Sequence, residues 1–261
     1  MSVPTTVPTP GRVRATLATV VLLVFVAVSV ARLAAIPAGL SDLSRYSTYF
    51  LMSTLAVWVL VAGGPALMAV GLLFSCAGDI LLGMDGLFLA GMGAFAAAHV
   101  CYVTHFLRTG AARGLRRRWW LVPLYAAILV ALVVWLWSGL GDLRVPVLVY
   151  ALLLAATAVT SASLGVWLGI GGALFFASDA MIAAFSLADK PEPPMPGMWI
   201  MVTYILAQLL LAIGAVARAE SASGAVARAK SASGAVARAK SASGAVARAE
   251  SASGAEAART A

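Results

Sequence analysis

The sequence predicts an all-α, polytopic integral membrane protein of eight transmembrane helices with both termini in the cytoplasm. Three observations predict it. Of 261 residues, 62% are hydrophobic and only 11% are charged, where a soluble domain is nearer half apolar and a quarter charged. The mean hydropathy is +0.97, and the apolar residues fall into runs of about twenty, the length needed to cross a bilayer as a helix. The net charge of +8 lies between and after these runs, so it reads as a topology signal and as contact with lipid headgroups, and nucleic-acid binding is not expected.

The first run, about Ala15–Ala35, follows Arg12 and Arg14. It is longer than the apolar part of a signal peptide and more spans follow, so it reads as the first transmembrane helix. Residues 1–12 ahead of it are expected to be disordered. The next runs are Tyr46–Val61, Ala66–Met84, Leu87–Leu107 and Trp119–Trp137. The last three are Val145–Ala162, Leu164–Phe185 and Met198–Ala217. Links such as Gly63-Gly64-Pro65, Asp85-Gly86 and Pro191–Gly197 carry helix breakers. With eight spans, one face receives Arg12, Arg14, Arg108, Arg113 and Arg116–Arg118, together with the basic tail. The other holds Arg45, Arg144 and Lys190 among five acidic residues. The Lys/Arg bias makes the first face cytoplasmic, as expected for a multi-pass protein of the plasma or inner membrane.

The membrane domain is thus residues 1–217, and residues 218–261 form a separate tail. From Gly214 a ten-residue unit, GAVARAESAS or GAVARAKSAS, recurs and then decays. It has no large apolar residue with which to build a stacked core, so a disordered low-complexity tail is expected. Its Arg and Lys residues offer a weak attraction to anionic lipid. Cys76 and Cys101 lie in apolar runs without metal-ligand or redox spacing and read as small buried residues.

Two carboxylates stand inside these runs, Asp79 in GLLFSCAGDILLG and Asp179 in GGALFFASDAMIAAF. A charge at the bilayer centre costs about 2.5–3.5 kcal/mol on the insertion scale, so an intramembrane acid is first a functional candidate. Gly71, Ser75 and Asp79 recur every four residues along one helical face, and Gly165, Gly169, Gly172, Ser178 and Asp179 form a similar set. His99 and Tyr102 are neighbours on the fourth span, as are Tyr204 and Gln208 on the eighth. Helical rise puts the two acids at similar depth toward the non-cytoplasmic side, so a shared pocket with His99, Tyr204 and Gln208 is expected. A pair of buried carboxyls can divide acid–base work, one donating a proton while its ionised partner activates water or stabilises positive charge, as glycosidases do. His99 would orient a carboxylate or shuttle protons. A metal held by Asp79, Asp179 and His99 is the weaker alternative, and no cofactor is expected. A proton- or cation-coupled transporter using the same acids as a relay is the rival function.

In order, FSCAGDILL, AHVCYVTHF, GGALFFASDAMIAAF and TYILAQLLLAIG resemble the successive motifs of the YhhN-type lysoplasmalogenase family of integral membrane hydrolases. The likeness runs from about Ala66 to Gly214. It implies an eight-helix enzyme that takes a lysophospholipid and cleaves the vinyl-ether bond of lysoplasmalogens to a fatty aldehyde and glycerophosphocholine or glycerophosphoethanolamine. The family's acidic positions fall on Asp79 and Asp179, its fourth-span pair on His99 and Tyr102, and its eighth-span pair on Tyr204 and Gln208. Where members often carry a Lys-Pro pair leading into the second span, this chain has YFLMST at Tyr49–Thr54, a departure that bears on the entrance or on headgroup preference.

Overall fold

A computed structural model describes residues 10–260, with side chains from 11 to 233. Most of the expected disordered segment, residues 1–9, therefore lies outside the described residues, while residues 10–12 already belong to a helix. Among the described residues there is no strand. The chain divides into two units, Met1–Ala217 and Arg218–Ala261.

Each of the eight apolar runs is helical. The elements are α1 (Pro10–Ala35), α2 (Ser41–Val61), α3 (Ala66–Leu82), α4 (Phe88–Arg108), the short α5 (Ala111–Arg117), α6 (Leu121–Leu136), α7 (Arg144–Leu164), α8 (Val166–Ile182) and α9 (Pro196–Thr260). By length and apolarity alone, five of these regions qualify as membrane spans: Gly11–Ala35, Phe88–Arg108, Gly141–Leu164, Val166–Leu187 and Pro196–Ser233. A sixth is reached if α5 and α6, bent by 95° at their break, count together. The chain is a multi-pass membrane protein. α3 is apolar but has only 17 residues, about 26 Å of rise, and α2 carries Asp42 and Arg45 in its first turns.

Sequential helices pack side by side from α1 to α4, then α4 packs on α7, and α7 holds both α6 and α8. α9 closes the bundle against α3 and α8 through its side chains. Small residues in α3 and α8 set these approaches, Gly71, Gly169 and Gly172 among those expected. Without a Cβ, Gly71 admits the Tyr102 ring and Gly78 the Phe95 ring, both from α4. On α8, Gly169 and Gly172 sit against Ala162, Ala158 and Ser161 of α7, while Gly171 meets Ala207 and Leu210 of α9. In a bilayer, such close backbone contact supplies the dispersion energy that holds helices together.

Some arginines do more than set topology. Arg14 Nε donates to the Val61 carbonyl at 2.7 Å, and Arg118 Nη1 reaches the carbonyls of Ala162 and Ser163 at 3.2 and 3.3 Å. The last four carbonyls of a helix have no partner within it, so these cations close the C-termini of α2 and α7 and complement their dipoles. Gly63, with φ +83°, makes the α2–α3 turn beneath the Arg14 guanidinium, where any side chain would collide with it.

The tail differs from the expectation of disorder, because α9 is helical as far as Thr260. Each ten-residue unit holds four alanines, the strongest helix former, against one glycine that costs about 1 kcal/mol. Side chains from Glu220 to Ser233 are exposed, as the lack of large apolar residues requires.

Candidate functional site

The two aspartates occupy matching places. Each stands three residues before the last residue of a 17-residue helix, Asp79 on α3 and Asp179 on α8. Asp179 is 8% exposed, and Asp79 is partly buried. The two acids and seven polar side chains near them fall into three hydrogen-bonded sets.

The first set is an open chain. Thr157 Oγ1 donates to the Leu153 carbonyl at 3.1 Å and lies 3.0 Å from His99 Nδ1. A hydroxyl has one proton, so Thr157 receives its second bond and His99 Nδ1 carries a hydrogen. That leaves His99 Nε2 to face the Tyr150 hydroxyl at 3.2 Å and Asp179 Oδ2 at 3.7 Å. The Tyr150 hydroxyl in turn donates to Asp179 Oδ2. It thus bridges the carboxyl to the imidazole, where a proton can pass between them.

The second set is a pair, with Tyr204 of α9 donating to Asp79 Oδ2 at 2.9 Å. The third is a closed ring. Tyr102 Oη donates to Gln208 Oε1 at 3.1 Å, Gln208 Nε2 donates to Ser75 Oγ at 3.0 Å, and Ser75 returns to Tyr102 Oη at 3.1 Å. All three are fully buried. The ring ties α3, α4 and α9 together and leaves no bond directed at either acid. Ser178 likewise turns away from the acids, donating to the Ile200 carbonyl of α9 at 3.2 Å. Phe175, wholly buried, separates the sets: its ring centroid lies 4.8 Å from that of His99 and 5.7 Å from that of Tyr204.

Two cavities meet Asp179. Asp179 and Tyr150 form the wall between two apolar cavities. One, of about 50 Å³, lies beside Leu82, Phe88, Met92 and Phe95. The other, of about 30 Å³, lies beside α6 and the start of α7. Asp79 borders neither of them. Among the described residues no three His, Cys, Asp or Glu side chains gather closely enough to hold a metal ion. The arrangement can therefore present an acid to an apolar chain and exchange its proton with a histidine behind it.

Of the residues expected at the site, Asp179 and His99 come together, Asp79 and Tyr204 form the neighbouring pair, and Ser75, Tyr102 and Gln208 make the ring. Tyr150 and Thr157 were not expected. Their signal was present, since they are seven residues apart and thus on one face of the sixth run, but in an apolar run they read as interfacial and packing residues.

The model of the YhhN family matches residues 40–215. A protein of Mycobacterium tuberculosis named lysoplasmalogenase is 33% identical over 55% of this chain and 58% of its own length, and one from Mycobacterium bovis matches equally. The chain thus spans well under two thirds of these mycobacterial relatives. A human protein named lysoplasmalogenase TMEM86B is 33% identical over 61% of this chain and 69% of its own. No solved structure matches.

Proposed function

Because this chain belongs to the YhhN family, we propose that it is a membrane-embedded hydrolase that cleaves the vinyl-ether bond of a lysoplasmalogen, releasing a fatty aldehyde and a glycerophosphodiester. The observation that carries this reading is Asp179, set in the wall of two apolar cavities with Tyr150 and His99 behind it. The relatives named lysoplasmalogenase support the substrate class.

Vinyl-ether hydrolysis begins when a proton adds to the alkene carbon distal to the ether oxygen. The π electrons form the new C–H bond, and the adjacent carbon becomes an oxocarbenium ion. Asp179, protonated, gives that proton, and its carboxylate then lies beside the cation it has made. Water adds to the cationic carbon and loses a proton to the Asp179 carboxylate, giving a hemiacetal. The hemiacetal's hydroxyl proton passes to the glycerol oxygen as the C–O bond breaks, which frees the aldehyde and the alcohol. His99, through Tyr150, holds the proton that restores Asp179 whenever the acid is left ionised. Asp79, held by Tyr204, is the partner carboxyl that positions water or stabilises the oxocarbenium ion. The steps call on proton transfer and water alone.

In the membrane, α1–α4 and α6–α9 each form one span, with both termini cytoplasmic. α5, with Arg113, Arg116 and Arg117, lies along the cytoplasmic surface, which accounts for the 95° bend before α6. The catalytic ends of α3 and α8 then face the opposite side. Reporters fused after Arg113 and after Pro194 are expected to report opposite faces; the same face for both would exclude the eight-span arrangement.

The function is tested by purified protein in detergent, with release of aldehyde from a 1-alkenyl-glycerophosphocholine measured against the 1-acyl ester of the same headgroup. Aldehyde release is expected with the alkenyl substrate. Hydrolysis confined to the ester would replace this reading with an esterase.

A further inference from the structure

The second cavity has a polar end that the chemistry at Asp179 does not use. Its lining is apolar, with Leu132, Leu136, Leu140, Val147 and Leu154 among the residues, apart from three groups: Tyr150, Asp179 and Arg144. Arg144 is the first residue of α7, and Tyr150 stands six residues further along the same helix. That interval is about 9 Å along the axis, comparable with the extended reach of a glycerophosphate from its alkenyl carbon to its phosphate oxygens.

The Arg144 guanidinium is held in place. Its Nε donates to the Trp137 carbonyl at 3.1 Å, and its carbon sits 5.2 Å from the centroid of the Trp137 indole. These contacts use one of five N–H donors and one face of the plane. The Nη edge, which pairs with phosphate in a two-bonded fork, remains to serve an anion. The Trp137 turn is itself packed down: Gly139 has no room for a Cβ against the Ala188 backbone, and Leu136, Leu140, Val147, Ala184 and Ala188 form a buried cluster beneath it. Lys190 provides a comparison. Its ammonium lies 5.7 Å from the Trp135 ring, at the same end of α6, but Lys190 does not line the cavity.

We propose that Arg144 is a phosphate-binding, specificity-determining residue, which fixes the glycerophosphate of the substrate at the cavity rim so that its alkenyl carbon reaches Asp179. This rests on the function proposed above and deepens it. An apolar cavity with an arginine at the rim and an acid further in matches an amphiphile with an anionic head and a reactive bond next to its chain.

The test compares two vinyl ethers, 1-alkenyl-glycerophosphocholine and 1-alkenylglycerol, which lacks the phosphate. Arg144→Met is expected to lower the ratio of kcat/KM between them by about tenfold or more, chiefly through KM, as expected for loss of a charge-assisted pair. Arg144→Lys keeps the charge without the fork and is expected to fall between Met and wild type. Lys190→Met should keep the wild-type ratio. If Arg144→Met and Arg144→Lys leave the ratio at its wild-type value, or if Lys190→Met shifts it as far, the subsite is overturned. Should wild-type protein release aldehyde from neither substrate, the function falls separately. The subsite is then read by binding of 1-O-alkyl-glycerophosphocholine, which has no vinyl bond, followed by tryptophan fluorescence. Arg144→Met is expected to weaken that binding about tenfold; equal affinity overturns the subsite.

Discussion

Asp179→Asn is expected to lower aldehyde release from a 1-alkenyl-glycerophosphocholine by about 10³-fold or more, near the upper range for loss of a general acid. Asparagine keeps the shape of the side chain, and its carbonyl still accepts the Tyr150 hydroxyl, so substrate binding and the fold should be little changed. What it lacks is a proton acidic enough to give to carbon. The loss should therefore appear in kcat, with KM close to wild type. Asp79→Asn alters the partner carboxyl, which borders neither of the two cavities, so its loss should be smaller, about 10²-fold. Activity within tenfold of wild type in both variants would end the acid-pair mechanism.

The second large effect is expected at Tyr150. Tyr150→Phe keeps the ring in both cavity walls but removes the hydroxyl that joins His99 to Asp179. A loss of about 10²-fold is expected, at the lower range for proton transfer. The more telling measurement is the double variant. If Tyr150 and His99 serve one chain, Tyr150→Phe with His99→Gln should be no slower than the worse single variant, because the second change cuts a link already broken. Losses that multiply would mean that His99 and Tyr150 act separately. A merely structural role for Tyr150 would show as lower thermal stability with kcat preserved.

Every helix but the short α5 was legible because a run of about twenty apolar residues has few other structures open to it. The acids were legible for the same reason, since Asp79 and Asp179 stand out against hydrocarbon. Their surroundings were less so. Small residues at 71 and 75 marked a close approach but not the partner; the packing of α4 on α3 brings Tyr102 to Ser75, and that of α4 and α8 on α7 brings His99 to Asp179. Depth along each span suggested one shared pocket, but depth is silent on rotation about the helix axis. That rotation sends Gln208 into a closed ring and Tyr204 to Asp79. Tyr150 was hidden by its own chemistry, because a tyrosine in an apolar run serves equally well as packing or as an interfacial anchor. Arg118 looked like a topology charge because the carbonyls it caps lie 44 and 45 residues away.

The chain that runs from Asp179 through Tyr150 and His99 to Thr157 ends on the Leu153 carbonyl, and a carbonyl oxygen has no proton to hand on. Among the described side chains the line has no further member. It is suited to take up one proton and return it to the carboxyl, and we propose that it works as a capacitor rather than as a wire.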